Sequence, residues 1–171
     1  MRIFVDADSC PKPARDIILR AAKRTAGAVF AANRPIPGVG NGEMRVCPRK
    51  DGAADDFIAE RAGPGDIVVT RDVALAARTL KTGAAALDDR GKIDSEENIG
   101  ERLSLRNFTV GLAENGMDFE RETSYGKKEL KAFADSLDRL ITGRAKRAAS
   151  ASGEPFSREL IPSRDTDSGS A

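Results

Sequence analysis

The chain has 171 residues, 40% of them hydrophobic and 32% charged, an ordinary globular composition with enough apolar material for one main core. Lys+Arg 28 against Asp+Glu 27 gives a formal net charge of +1, so no global basic field marks a nucleic-acid partner and any such binding must use a local patch. Histidine is absent and Cys10 and Cys47 are the only cysteines, which removes the usual general base and the commonest transition-metal ligand and leaves carboxylate or thiol chemistry.

Ile3, Phe4 and Val5 are consecutive apolar residues, the pattern of a strand covered on both faces in a parallel sheet. Asp6 and Asp8 follow at its carboxyl end, where open α/β sheets bind ligands. Alternation along extended backbone predicts both carboxylates on one side. The plainer alternative is an aspartate that turns the chain and caps the next helix. Pro11 and Pro13 suit the first turn of a helix over about 11–26, because the first helical N–H groups have no intrahelical partner. Ile17, Ile18, Ala21 and Ala22 are its apolar stripe and Gly27 its stop. Residues 28–32 read as a second buried strand, which delivers Asn33 and Arg34 to the same sheet edge as Asp6. Residues 35–42 are Pro- and Gly-rich connector.

A weak third strand is expected at 44–47, then a short helix over 53–62 stopped by Gly63-Pro64-Gly65. Asp55 and Asp56 fall in its first turn. The helix dipole favours acid there for structural reasons alone, but a pair leaves one free to point outward. Residues 66–70 repeat the opening pattern, a strand running into Thr70-Arg71-Asp72 and a helix that stops at Gly83, so Asp72 repeats the position of Asp6. Residues 84–87 are a further strand, and Asp88-Asp89-Arg90-Gly91 is turn chemistry.

No strand is expected beyond this point. Ser95 caps a helix with Glu96 and Glu97 in its first turn and Ile99, Leu103, Leu105, Phe108 and Leu112 inside. A last helix over about 127–142 has Leu130, Phe133, Ala134, Leu137 and Ile141 on its apolar face and ends at Gly143. Residues 1–143 therefore form the expected domain. The stretch 144–171, rich in Ser, Ala, Gly and charge, is an expected disordered tail. No apolar run reaches the length of a membrane span, and Met1–Val5 is too short for a signal peptide. A cytoplasmic protein with free thiols is expected.

Asp6, Asp8, Asp55 or Asp56, and Asp72 come from separate strand ends or helix starts that a βαβ fold brings to one edge. Such a cluster needs neutralisation, and Mg²⁺ or Mn²⁺, which prefer oxygen ligands, supply it. A cation so held can activate water and clamp a phosphodiester. The expected metal set is Asp6, Asp8, Asp56 and Asp72. Asp8 and one of Asp55 or Asp56 would position water, and Asn33, Arg34 and Arg71 would contact the substrate backbone.

The ordered motifs Val5-Asp6-Ala7-Asp8-Ser9-Cys10-Pro11, Ala32-Asn33-Arg34-Pro35, Gly52-Ala53-Ala54-Asp55-Asp56, Gly63-Pro64-Gly65-Asp66, Leu87-Asp88-Asp89-Arg90-Gly91 and Asn98-Ile99-Gly100-Glu101-Arg102-Leu103 resemble the bacterial YaiI/YqxD family. The likeness extends to Phe133–Leu140 and covers about 1–141. That family is grouped with PIN-like domains. The resemblance therefore implies a three-layer α/β/α fold with a mostly parallel sheet, a helical C-terminal part and an acidic Mg²⁺/Mn²⁺ nuclease site acting on RNA or single-stranded DNA. By position, Asp6 and Asp8 match the first acidic motif, Asp55 or Asp56 the second and Asp72 the third, with Asp88 an addition. The departures are Ser9, where the family often has Ala, and Asp89, where it often has Pro; neither is expected to touch a ligand. The family's activity is not established, so it implies the fold more firmly than the function.

Two other classes fit the same residues. A haloacid-dehalogenase-like phosphatase also opens with a strand and Asp-x-Asp, the first Asp as nucleophile, but here Cys10 stands in the following Thr or Val position. A binding module would keep the acidic fold without catalysis, although one Tyr and no Trp offer few stacking platforms.

Overall fold

The computed structural model describes residues 1–115 and 125–151. Six strands, β1 (Ile3–Asp6), β2 (Ala28–Ala32), β3 (Glu43–Val46), β4 (Ile67–Val69), β5 (Ala85–Leu87) and β6 (Ile93–Asp94), form one sheet in the order β3-β2-β1-β4-β5-β6. The first five run parallel, and β6 returns antiparallel to β5. The order reverses between β1 and β4, and the crevice beyond their carboxyl ends is the topological switch point of such a sheet.

Side-chain parity divides the sheet into two cores. Ile3 and Val5 of β1, Phe30 of β2 and Val69 of β4 face α1 (Lys12–Ala22) and α5 (Lys127–Ala151), where Ile18, Phe133, Leu137 and Ile141 close the layer. Phe4, Val29 and Val68 face the other way, onto Ile58 of α2 (Ala53–Arg61) and Leu75 of α3 (Val73–Leu80). The result is the expected three-layer α/β/α arrangement. Parity also fixes the site. Asp6 has the parity of Phe4 and Thr70 that of Val68, so both point to the α2–α3 side.

The third strand begins and ends one residue earlier than expected, and its side chains are largely exposed because it is the sheet edge. The strand β6 was not expected at all. Its two residues carry no periodicity, and its pairing with β5 depends on Asp88. The Asp88 carboxylate accepts the backbone N–H groups of Arg90 at 3.0 Å and Lys92 at 2.8 Å, folding the chain back on itself.

Two helical expectations are corrected. In α4 (Glu96–Glu114) no residue is buried, and Leu105 and Phe108 are 63% and 65% exposed rather than inside. At about 100° per residue, Ile99 and Leu103 lie on one side of this helix and Leu105, Phe108 and Leu112 on the opposite side. The helix packed against it, α3, cannot cover both sides. The last helix does not stop at Gly143 but continues to Ala151; an isolated glycine lowers helix propensity without ending a helix already anchored by Phe133, Leu137 and Ile141. The expected disordered tail begins inside this helix, and its residues 152–171 lie outside the described residues.

Candidate active site

Asp6, the last residue of β1, is only 8% exposed. Its Oδ2 accepts the hydroxyls of Ser9 at 2.7 Å and of Thr70, beyond β4, at 3.2 Å. Burial pushes its carboxyl up from the ordinary value; the two hydroxyl donors oppose that, and the Asp8 charge adds to it. Across the crevice, Asp72 caps α3, its Oδ1 accepting the N–H groups of Ala74 at 2.7 Å and Leu75 at 3.4 Å. An oxygen of this cap is thus already committed to the helix. Its Oδ2 stands 4.0 Å from Arg106 of α4.

The two acids at the start of α2 separate. Asp56 points outward and pairs with Arg78 of α3 at 2.8 Å. Asp55 is half-buried, and its carboxyl is pushed up to about 6, first by burial, then by the charges of Asp6 and Asp72. The structure therefore brings Asp55, not Asp56, to the Asp6–Asp72 crevice.

Asp8 stands apart from the strand whose alternation was to align it with Asp6. The strand β1 ends at Asp6 and the chain turns through residues 7–9. The Asp8 Oδ2 accepts the backbone N–H of Asn33 at 3.0 Å, and Arg34 stands 3.6 Å from Oδ1. Asn33 and Arg34 thus reach this sheet edge, engaged with Asp8. Asp88 is occupied by its turn and by Arg102, 3.7 Å away, which also pairs with Asp94. Both cysteines are free thiols and buried, and burial with the nearby Asp89 charge pushes Cys10 up to about 12. A thiol so protonated is no nucleophile, which leaves the carboxylates.

A divalent cation suits this donor set in kind, since all of it is hard carboxylate oxygen. It does not suit the spacing: among the described residues no three acidic or thiol side chains group closely enough to hold a metal ion. Asp6, Asp8 and Asp72 are each turned onto hydroxyls, backbone N–H groups or arginines. Asp55 alone faces mainly like charge.

Residues 4–143 match the family described as "Uncharacterized BCR, YaiI/YqxD family". The chain belongs to this family. Its similarity to curated members extends over nearly their whole length. A UPF0178 protein of Pseudomonas entomophila (strain L48) is 44% identical over 149 residues, 85% of this chain and 99% of the relative. UPF0178 proteins of Pseudomonas putida (strain W619) and Pseudomonas fluorescens (strain Pf-5) are each 42% identical, covering 85% and 86% of this chain and 99% and 100% of theirs. No solved structure matches, so the PIN-like grouping rests on the sequence resemblance to the YaiI/YqxD family alone. No described helix is long and apolar enough to cross a membrane.

Ser9 and Asp89, which were not expected to touch a ligand, both lie beside residues of the candidate site. Ser9 donates directly to Asp6, and Asp89 stands 3.3 Å from Arg71, the residue between Thr70 and Asp72. Thr70, Arg78 and Arg106 were missed as neighbours of the site. The parity shared with Val68 would have found Thr70; the two arginines come from helices whose placement no local pattern encodes.

Proposed function

We propose that this protein is a divalent-cation-dependent phosphodiesterase acting on single-stranded RNA or DNA at the β1–β4 crevice. The observation that carries this reading is the placement of Asp6 at the end of β1 and Asp72 just beyond β4, on either side of the topological switch point where such sheets bind ligands, with the half-buried Asp55 charged against both. The acids open to a Mg²⁺ or Mn²⁺ ion here are Asp6, Asp55 and Asp72, which as they stand are too widely spaced to ligate it together and would have to close on it; the chemistry such an ion supplies is polarisation of a phosphoryl oxygen. The chain's own residues do the rest. Ser9 and Thr70 fix the rotamer of Asp6, and Asp8 orients water from the rim. Arg34 and Arg71, 70% and 49% exposed, bind substrate phosphates.

The engagement of Asp6, Asp8 and Asp72 in internal contacts favours a second reading, a nucleic-acid-binding module without catalysis. One experiment separates the two. With Mn²⁺, a labelled single-stranded oligonucleotide is cleaved by the wild type. Cleavage stops in EDTA and falls at least about a hundredfold in a folded Asp6→Asn variant. Binding without cleavage identifies the module, and phosphate release from a monoester alone identifies a phosphatase. Cleavage that survives Asp6→Asn overturns the assignment of this crevice.

A further inference from the structure

Asp89 is 1% exposed, yet neither of its carboxylate oxygens accepts a hydrogen bond. Leaving a buried carboxylate in that state is unfavourable, and the loop gives it no escape to water. Asp88 ties the loop through the N–H groups of Arg90 and Lys92. The Tyr125 hydroxyl donates to the Asp89 carbonyl at 3.0 Å, and the Ser136 hydroxyl donates to the Gly91 carbonyl at 2.7 Å. Gly91 lies so close to α5 that a Cβ there would stand 2.5 Å from the Ala132 carbonyl. Four hydrogen bonds and the close packing of Gly91 therefore hold the loop that carries Asp89, and with it an inward-facing charge that a neutral side chain would spare the fold.

What that charge does is visible at Arg71. The Arg71 Nε stands 3.3 Å from Asp89 Oδ1. The terminal nitrogens of Arg71 donate no hydrogen bond to a described residue, and the side chain is half-exposed. Its backbone lies between Thr70, which donates to Asp6, and Asp72, which caps α3. A guanidinium tethered at Nε with both Nη groups available is a preorganised fork for two oxygens of one anion. Arg34 and Arg106 also border the crevice, but each pairs with an acid of the site itself, Asp8 or Asp72. Arg71 draws its counter-charge from outside the cluster.

We propose that Asp89 is a positioning residue that holds Arg71 beside Asp6 and Asp72 as a fixed fork for a phosphate of the substrate. The proposal rests on the phosphodiester reading above and assigns Asp89 no contact with substrate.

The test is fluorescence anisotropy with a fluorescein-labelled single-stranded 12-mer, with Ca²⁺ as the oxygen-seeking cation, on wild type, Arg71→Gln, Asp89→Asn and the double variant, each also melted. Arg71→Gln lowers affinity about tenfold and reduces the slope of log K against log salt by about 0.7, one phosphate contact on a single strand. Asp89→Asn lowers affinity in the same direction without lowering Tm, because a buried, unbonded charge has been removed. The double variant binds no worse than Arg71→Gln alone, the signature of a residue acting through another. A purely structural Asp89 gives a lower Tm with unchanged affinity, and an independent contact gives additive losses; either result overturns the proposal while wild-type binding still supports the phosphodiester reading. If Asp89→Asn does not fold, Arg71→Lys, which keeps the charge without the fork, decides: wild-type affinity there overturns the proposal. Absence of wild-type binding overturns both readings together.

Discussion

Replacing Asp55 by asparagine separates two effects of packing carboxylates in one crevice, repulsion in the bare protein and attraction for a cation. The Asp55 carboxyl sits at about 6 in the folded chain against 3.8 for a free side chain. Below about pH 3 both folded and unfolded states are protonated and the residue costs nothing. As pH rises from about 3 to about 6 the unfolded chain releases its proton first, so folding stability falls through that window and stays lowered above it. Asp55 is half-exposed, and solvent screening reduces the effect. Asp55→Asn is therefore expected to raise Tm at pH 7.5 by about 3 °C, the shift that about 1 kcal/mol produces at this chain length, and to leave it unchanged at about pH 3. A cation and a proton compete for the same oxygens, so the Tm gain from Mn²⁺ should grow in the wild type as pH passes 6 and should be weak at every pH in the variant. Equal metal-induced shifts in both proteins would place any cation elsewhere.

Single elements differ in how completely their residues encode them. The strands β1, β2 and β4 are legible because consecutive apolar residues bounded by helix starts have few other interpretations, and the same reasoning places Asp6 and Asp72 at one edge. The alternation argument does not reach Asp8, because the strand ends at Asp6 and a turn follows. The choice between Asp55 and Asp56 was open because both occupy the first turn of α2; only the position of Arg78 on α3 decides which one turns outward. In α4 the apolar count predicted burial, whereas the angular spread of those residues leaves half of them in solvent. Two aromatic truncations measure this. Phe133→Ala, fully buried between α5 and the sheet, should cost about 3–5 kcal/mol. Phe108→Ala, exposed on α4, should change stability by less than about 0.5 kcal/mol. Comparable losses in urea melts would mean that α4 packs against something in solution.

At the scale of the whole molecule, the core is closed by a helix that arrives late in the chain. Phe133, Leu137 and Ile141 complete the layer shared with α1, and Ser136 and Ala132 pin the loop that carries Asp89. The C-terminal helix is thereby coupled to the loop that follows β5, beside the strand ends where the acids lie. Beyond Ile141 the described residues of α5 are mostly exposed, and the family match ends at 143. The helix outlasts its own anchors: its final two turns are held by continuity with the packed segment, and Arg144 makes one long contact, 3.5 Å, to the Gly83 carbonyl. Stability should therefore depend on where the chain is cut in a stepwise manner. Ending it after Ala151 should leave Tm unchanged. Ending it after Gly143 should lower Tm by less than about 3 °C, since less than about 1 kcal/mol of contact is lost. Ending it after Arg121, which removes the anchors and exposes the α1 side of the sheet, should abolish cooperative unfolding. If the cut after Gly143 already abolishes it, the domain extends through the end of α5 and the boundary at 143 is wrong.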